Sequence, residues 1–292
     1  MDERKARNGM QEAAPGGDQA ARWNGPAGRA WVEAQAALDA LFEPFERLLA
    51  GQVPEGSAAG VLDVGCGTGA TTLAIARRLG PGGRCLGLDL SAPMLARARE
   101  RAAAEGSPAR FLQADAAGHA FEPAAFDLIV SRFGVMFFDD PVRAFANLRA
   151  AAKPGAALRC IAWRSPGENP FMTTAERAAA PLLPPLPPRV PDAPGQFAFA
   201  DPERVRGILE DSGWTAVALR PLDVPCRLPA ADLQRYITRM GPVGTALQQA
   251  DAATRARVVA ALEAAFAAYV AEGEARFTAA CWLVEATAAK ER

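Results

Sequence analysis

Between residues 61 and 163 short apolar runs alternate with segments of helical spacing, and this alternation constrains the fold more than any other feature of the chain. The runs are 61–64, 84–89, 109–113, 126–131 and 157–163. Between them lie 71–79, 93–105 and 142–152, rich in Ala, Leu and Arg at three- and four-residue intervals. Strands separated by helices pair in parallel, because each return to the same edge needs a crossover. The expected result is an α/β, doubly wound, mostly parallel sheet covered on both faces. Ser91 with Pro93 suits a helix start and Lys153-Pro154-Gly155 a helix stop. In such a sheet ligands bind beyond the carboxyl ends of the strands.

After residue 163 the pattern changes. Residues 181–195 (PLLPPLPPRVPDAPG) are dense in proline, which breaks helix and sheet and implies an extended loop or lid. Asp201-Pro202 opens a helix through Asp211, Gly213 ends it, and 214–220 reads as a sixth strand. Residues 251–271 read as a long amphipathic helix, and 277–286 as a last, antiparallel edge strand. The expectation is a seven-stranded sheet whose last strand runs antiparallel. Residues 1–20 are a polar lead expected to be disordered, 21–56 an N-terminal helical cap of one or two helices, 57–164 the ligand-binding core, and 165–292 a second cap with the C-terminal strands of the same domain.

Charge removes several classes of partner. Lys and Arg number 32 against 33 Asp and Glu, so no basic stripe marks a nucleic-acid surface. Cys66, Cys85, Cys160, Cys226 and Cys281 are scattered singly beside one histidine, His119, a pattern that implies neither a metal site nor a disulfide framework and suits a reducing cytoplasm. No run of 18 apolar residues is present, so no membrane span is expected.

The turn after the first run, VLDVGCGTGA at 61–70, fits two ligands. Gly65, Gly67 and Ala70 match G-x-G-x-x-G/A with Asp89 further on, as a dinucleotide site asks. Asp63, two places before Gly65, argues the other way. A pyrophosphate seated on this turn meets an anion at the strand tip. S-adenosyl-L-methionine instead brings an ammonium and a sulfonium, both of which a carboxylate attracts.

Four segments in order, VLDVGCGTG, LGLDLS, FLQADA and FDLIVSRFGVMFFDDP followed by AAKPG, resemble the class I S-adenosylmethionine-dependent methyltransferases. The likeness is to the bacterial methyltransferase-11 group and, more distantly, to the ubiquinone/menaquinone C-methyltransferases. The resemblance spans 61–163 and implies a Rossmann-like fold. It implies close backbone approach to the cofactor at Gly65, Gly67 and Gly69, with Asp63 and Thr68 by the methionine amino group. It further implies that Asp89 accepts from the ribose hydroxyls, that Asp115 and the Ala116 backbone hold the adenine edge, that Leu90 and Met94 cover its faces, and that Ser131 faces the methionine part.

Methyl transfer from a sulfonium is an in-line displacement that loses charge, so the protein mainly aligns the acceptor and excludes water. His119 is the candidate base, weighed against a solvated loop histidine. Trp23, Trp31, Arg132, Phe133 and Met136 are the candidate acceptor contacts, weighed against core packing and, for Arg132, against an ion pair with Asp139. The expected acceptor is a small apolar or aromatic molecule, methylated at O, N or C. The alternatives are a nicotinamide-dependent oxidoreductase and a cofactor-binding regulatory protein without chemistry.

Overall fold

The computed structural model describes residues 17–289. Residues 1–16 of the expected disordered lead lie outside it, while residues 17–20 are helical. The N-terminal cap has three helices rather than one or two: α1 (Gly17–Asn24), α2 (Pro26–Glu33) and α3 (Gln35–Ala50). Their short breaks at Gly25 and Ala34 divide what the pattern shows as one amphipathic stretch. In α3, Leu38, Leu41, Phe42, Phe45 and Leu49 recur at helical spacing and are all buried, so this stripe docks the cap on the core.

The core follows as β1 (Gly60–Val64), α4 (Ala70–Arg78), β2 (Arg84–Asp89), α5 (Ala92–Glu105), β3 (Arg110–Gln113), β4 (Phe126–Arg132), α6 (Pro141–Ala151) and β5 (Ala152–Trp163). The sheet continues after α7 (Pro170–Ala179) and α8 (Pro202–Asp211) with β6 (Trp214–Pro229). Then come α9 (Ala230–Arg239), α10 (Gly241–Gln249), α11 (Ala252–Phe266), the two-residue β7 (Val270–Ala271) and β8 (Glu274–Ala288). Strand order is β3-β2-β1-β4-β5-β8-β6, with β7 beside β8. The first five strands are parallel and β8 runs antiparallel to both its neighbours. All five residues of β1 are buried, as an interior strand of a doubly covered sheet requires. The order reverses between β1 and β4, and a crevice opens there at the strand tips.

Several expected boundaries move. The last strand is antiparallel as anticipated, yet it lies between β5 and β6 and is not the edge. Lys153-Pro154-Gly155 is not a helix stop in a loop: β5 already starts at Ala152, pairs with Phe126, and slips register between Phe126 and Leu128. The helix expected over 251–271 ends at Phe266. The two C-terminal strands are longer than their apolar runs, paired from Trp214 and Ala288 to Pro229 and Glu274. Their far ends leave the main sheet and carry α9, while the proline-dense segment crosses as a loop to α8. One continuous cluster of buried side chains runs from α3 through the sheet to α11.

Candidate functional site

At the tip of β1 the chain bends sharply because the amides of Gly65 and Cys66 both donate to the Leu88 carbonyl, at 2.8 and 3.1 Å. Gly65, Gly67 and Gly69 all have left-handed backbone, with φ of 69°, 55° and 87°. Their surroundings differ. A Cβ on Gly65 would stand 2.6 Å from Gly134 Cα, so two strand-end loops touch backbone to backbone. A Cβ on Gly69 would meet Ala98 and Phe111 at 3.0 Å, beneath the turn. Above Gly67 only Met94 Sδ lies near, at 3.7 Å, so this glycine faces the cleft.

Asp89 ends β2 in that cleft. Its Oδ2 accepts from Gly67 N and its Oδ1 from Ser91 N, each at 2.8 Å. Burial raises its pKa, and these two amide bonds oppose the rise. A carboxylate oxygen accepts more than one bond, so Asp89 is fixed in direction with capacity left toward the cleft.

The loop after Asp89 is bolted to the cap. Ser91 Oγ donates to the Trp23 carbonyl at 2.7 Å, Asn24 Nδ2 to the Leu90 carbonyl at 3.0 Å, and Ala92 N to Asn24 Oδ1 at 2.8 Å. Gly28 permits the approach, since a Cβ there would fall 1.9 Å from the Trp23 carbonyl oxygen. Asn24 and Gly28 escape a sequence reading, because the loop they meet, at Leu90, Ser91 and Ala92, lies more than 60 residues away. The Asn-Gly-Pro turn signals a break, not what it binds.

Asp63 is not a wall of the cleft. It is 1 % exposed and faces α4, where Thr72 Oγ1 donates to its Oδ2 at 2.6 Å. Strand alternation sets this, because Leu62 and Val64 take the opposite face. Desolvation raises its pKa to about 6, against the Thr72 hydrogen bond and the field of Arg132. A carboxyl with a raised folded-state pKa contributes most stability below its ordinary pKa, and that contribution is lost as pH rises through about 6. Asp63→Asn keeps an acceptor for Thr72 and removes the buried charge. In urea unfolding without ligand it is expected to be more stable than wild type by about 1–3 kcal/mol at pH 8, and equal to it near pH 3.5. An equal difference at both pH values contradicts a charged Asp63.

The remaining expected cofactor contacts divide into wall and support. Gly65, Gly67, Asp89, Leu90, Met94 and Asp115 line the cleft with Ala116. Asp115 Oδ1 accepts from Ala117 N at 2.9 Å, and Asn147 Nδ2 of α6 holds the Ala116 and His119 carbonyls at 2.7 and 2.8 Å. Ser131 is fully buried, donating to the Val64 carbonyl at 2.7 Å and accepting from Gly134 N at 3.2 Å. Thr68 gives its carbonyl to Arg101. Ser131, Thr68, Gly69 and Asp63 therefore stand behind the cleft surface and shape it. His119 is also off the cleft, its ring edge-on to Phe121 at 4.6 Å, so the structure does not bring this candidate base to the site.

All five candidate acceptor contacts line the cleft. Trp23 packs edge-on to Trp31 at 6.3 Å and to Phe137 at 5.0 Å. Phe133 has φ of 65° and stacks on Trp163 at 4.6 Å, a contact that holds the strained backbone in place. Met136 is buried and its carbonyl accepts from Gly195 N at 3.0 Å, tying the proline-dense loop across the top. Arg189 of that loop pairs with Glu176 of α7 at 2.6 Å. The expected Arg132–Asp139 ion pair is absent among the described residues. The cleft holds about 1640 Å³ and runs from the glycine turn into a chamber walled by the cap, the proline-dense loop, α7, α9 and α10. Gln19 of α1 lines it too, and its buried Oε1 has no partner among the described residues. Among the described residues no group of side chains has the makings of a metal site, and no helix is long and apolar enough to cross a membrane.

Residues 61–155 match the family described as a methyltransferase domain. The chain is 37% identical over 111 residues to demethylmenaquinone methyltransferase of Thermus thermophilus, covering 38% of this chain and about half of that relative (50%). It is 34% identical over 191 residues to trans-aconitate 2-methyltransferase of Paracidovorax citrulli, covering 64% and 66%. In fold it resembles the YcgJ protein from Bacillus subtilis, with a TM-score of 0.57 at 17% identity over 86% of this chain and 100% of that one.

Proposed function

We propose that this chain, whose residues 61–155 match a methyltransferase domain, transfers a methyl group from S-adenosylmethionine to a small molecule held in the apolar chamber. One observation carries this reading. The Asp89 carboxylate ends β2 beside an open glycine and is aimed by the Gly67 and Ser91 amides, an arrangement made for a ligand's paired hydroxyls. The residues present fit the donor: Leu90 and Met94 supply apolar faces, and Gln19 Oε1 is an orphaned acceptor on the same cleft. A nicotinamide dinucleotide suits the site less well. Its pyrophosphate would lie at the N-terminus of α4 beside the Asp89 carboxylate, with the buried Asp63 behind the same turn and no cation paired to either among the described residues.

Bound there, the donor supplies an electrophilic methyl group on a sulfonium. The chain's own work is to place the acceptor and keep the chamber dry. The cleft exceeds the roughly 300–1,000 Å³ of a pocket for one small ligand, so two molecules fit side by side. Trp23, Trp31, Phe133, Phe171 and the prolines of the 181–195 loop give the chamber an apolar, aromatic lining. Tyr236 also lines it, its hydroxyl on Met172 Sδ at 3.5 Å, and burial raises its pKa, so it stays protonated and serves as a donor rather than a base. The relatives' named acceptors, demethylmenaquinone and trans-aconitate, differ from each other. The chamber's apolar, aromatic lining favours an apolar or aromatic acceptor.

The test is a screen of quinols, phenols, amines and polyketide-like acids with methyl-labelled donor, followed by mass analysis of the product. A methylated product supports the reading, and label retained in the donor across a donor-saturated protein contradicts it. In that assay His119→Ala is expected to keep turnover within about threefold of wild type, since His119 is off the cleft. A loss of two orders of magnitude with unchanged donor affinity would restore it as a base.

A further inference from the structure

Arg132 is a cation of the cleft wall with no ion-pair partner among the described residues. It is the last residue of β4, two places from Val130, which is in register with Asp63, and it therefore shares the Asp63 face of the sheet. Its guanidinium lies over the Phe42 ring at 5.9 Å and donates once, at 3.4 Å, to the Phe42 carbonyl. The Phe42 ring beneath it packs in turn against Phe133 and Trp163, the aromatic wall of the chamber. No carboxylate lies within ion-pair distance of it among the described residues.

The acidic groups that feel its charge are Asp39, Glu46 and Asp63. Two of these are already committed. Asp39 binds Arg101 at 2.8 Å and accepts from Gln35, and Asp63 accepts from Thr72. Their field keeps the guanidinium charged from a distance without using its donors. A guanidinium has five N–H donors in a fixed fork, and leaving it half-desolvated with one long hydrogen bond is costly. That cost is removed when an anion enters the cleft, and the planar fork matches a carboxylate bidentately.

We infer that Arg132 anchors the carboxylate of a cleft-bound molecule. This rests on the proposed methyl transfer, which supplies two sources of that group: the amino-acid end of the donor, or an acidic acceptor. Arg132 sits where the two halves of the cleft meet, one strand from the glycine turn and against the aromatic chamber wall. The neighbouring acids make a lone anion less welcome than one whose partner charge is positive. A zwitterionic amino-acid group meets both signs.

Titration calorimetry separates the cases. S-adenosylmethionine and its decarboxylated analogue are titrated into wild type, R132M and R132K. Benzoate and benzamide are then titrated into the same proteins loaded with S-adenosylhomocysteine. If the donor is the source, wild type prefers S-adenosylmethionine to the decarboxylated form by at least tenfold, R132M abolishes that preference, and R132K keeps part of it. If an acceptor is the source, loaded wild type prefers benzoate to benzamide by at least tenfold and R132M loses the preference with donor affinity unchanged. Either pattern supports the inference. It is overturned if wild type shows neither preference, a result that needs no variant, or if a preference persists in folded R132M. Donor uptake without either preference sinks the Arg132 inference alone, whereas no uptake by wild type sinks the methyl-transfer reading.

Discussion

Asp89→Ala is expected to raise the dissociation constant for S-adenosylmethionine by about 10- to 150-fold, the loss of roughly 1.5–3 kcal/mol associated with charge-assisted hydrogen bonds. The carboxylate holds Gly67 N and Ser91 N at 2.8 Å each, so its removal also leaves two amides without their acceptor. Part of the loss is therefore indirect, through a slackened glycine turn. Asp89→Asn separates the two parts. It keeps one oxygen for one amide and loses the charge, so it should recover much of the stability and little of the affinity. Calorimetry gives the affinity and urea unfolding the stability. An unchanged dissociation constant in folded Asp89→Ala removes Asp89 from the ligand site.

The second large effect distinguishes two glycines of the same turn, two residues apart. Gly65→Ala puts a Cβ 2.6 Å from Gly134 Cα at a residue with φ of 69°. The left-handed backbone costs about 1 kcal/mol and forced overpacking about 1–3 kcal/mol more, so the protein should lose about 2–4 kcal/mol of stability. Gly67→Ala carries the same backbone penalty at φ of 55°, but its Cβ meets only Met94 Sδ at 3.7 Å. It should cost about 1 kcal/mol of stability while its methyl group occupies the space the donor needs, weakening binding by more than tenfold. Parallel thermal melts and donor titrations of the two variants read out the split. Equal stability losses with equal retained affinity would show that Gly67 does not face a ligand.

Much of the core was legible because its chemistry is local. The apolar runs of β1, β2 and β4 are largely buried, and the helices after β2 and β4 carry ordinary caps, Ser91 Oγ accepting from Met94 N and Asp140 Oδ1 from Arg143 N. Asp63 shows where legibility ends. Its position two places before Gly65 is visible in sequence, but that its face of β1 is covered by α4 and Thr72 depends on packing. The same holds for Ser131, whose hydroxyl stitches two strand tips rather than facing the cleft.

The C-terminal strands were underestimated for a different reason. Pro221, Pro225 and Pro229 interrupt the pattern of β6, and an interior strand does not tolerate them. β6 is the edge of the sheet, where a missing N–H can face outward, so pairing with β8 runs on through all three. Helices α9 and α10 build a chamber wall from short segments broken at Gly241-Pro242, with too few residues each to stand out by periodicity. Arg132 was legible as a residue of interest, but its lack of an ion pair among the described residues emerges only from three dimensions.

The central claim is that the turn after β1 and the acidic end of β2 hold a positively charged methyl donor rather than a phosphorylated coenzyme. Calorimetric titration of the wild-type protein with S-adenosylmethionine and, separately, with NAD tests it most directly. The expected result is saturable uptake of one S-adenosylmethionine per chain, weakened in Asp89→Ala, and no saturable heat from NAD. Saturation by NAD with no uptake of S-adenosylmethionine would contradict it.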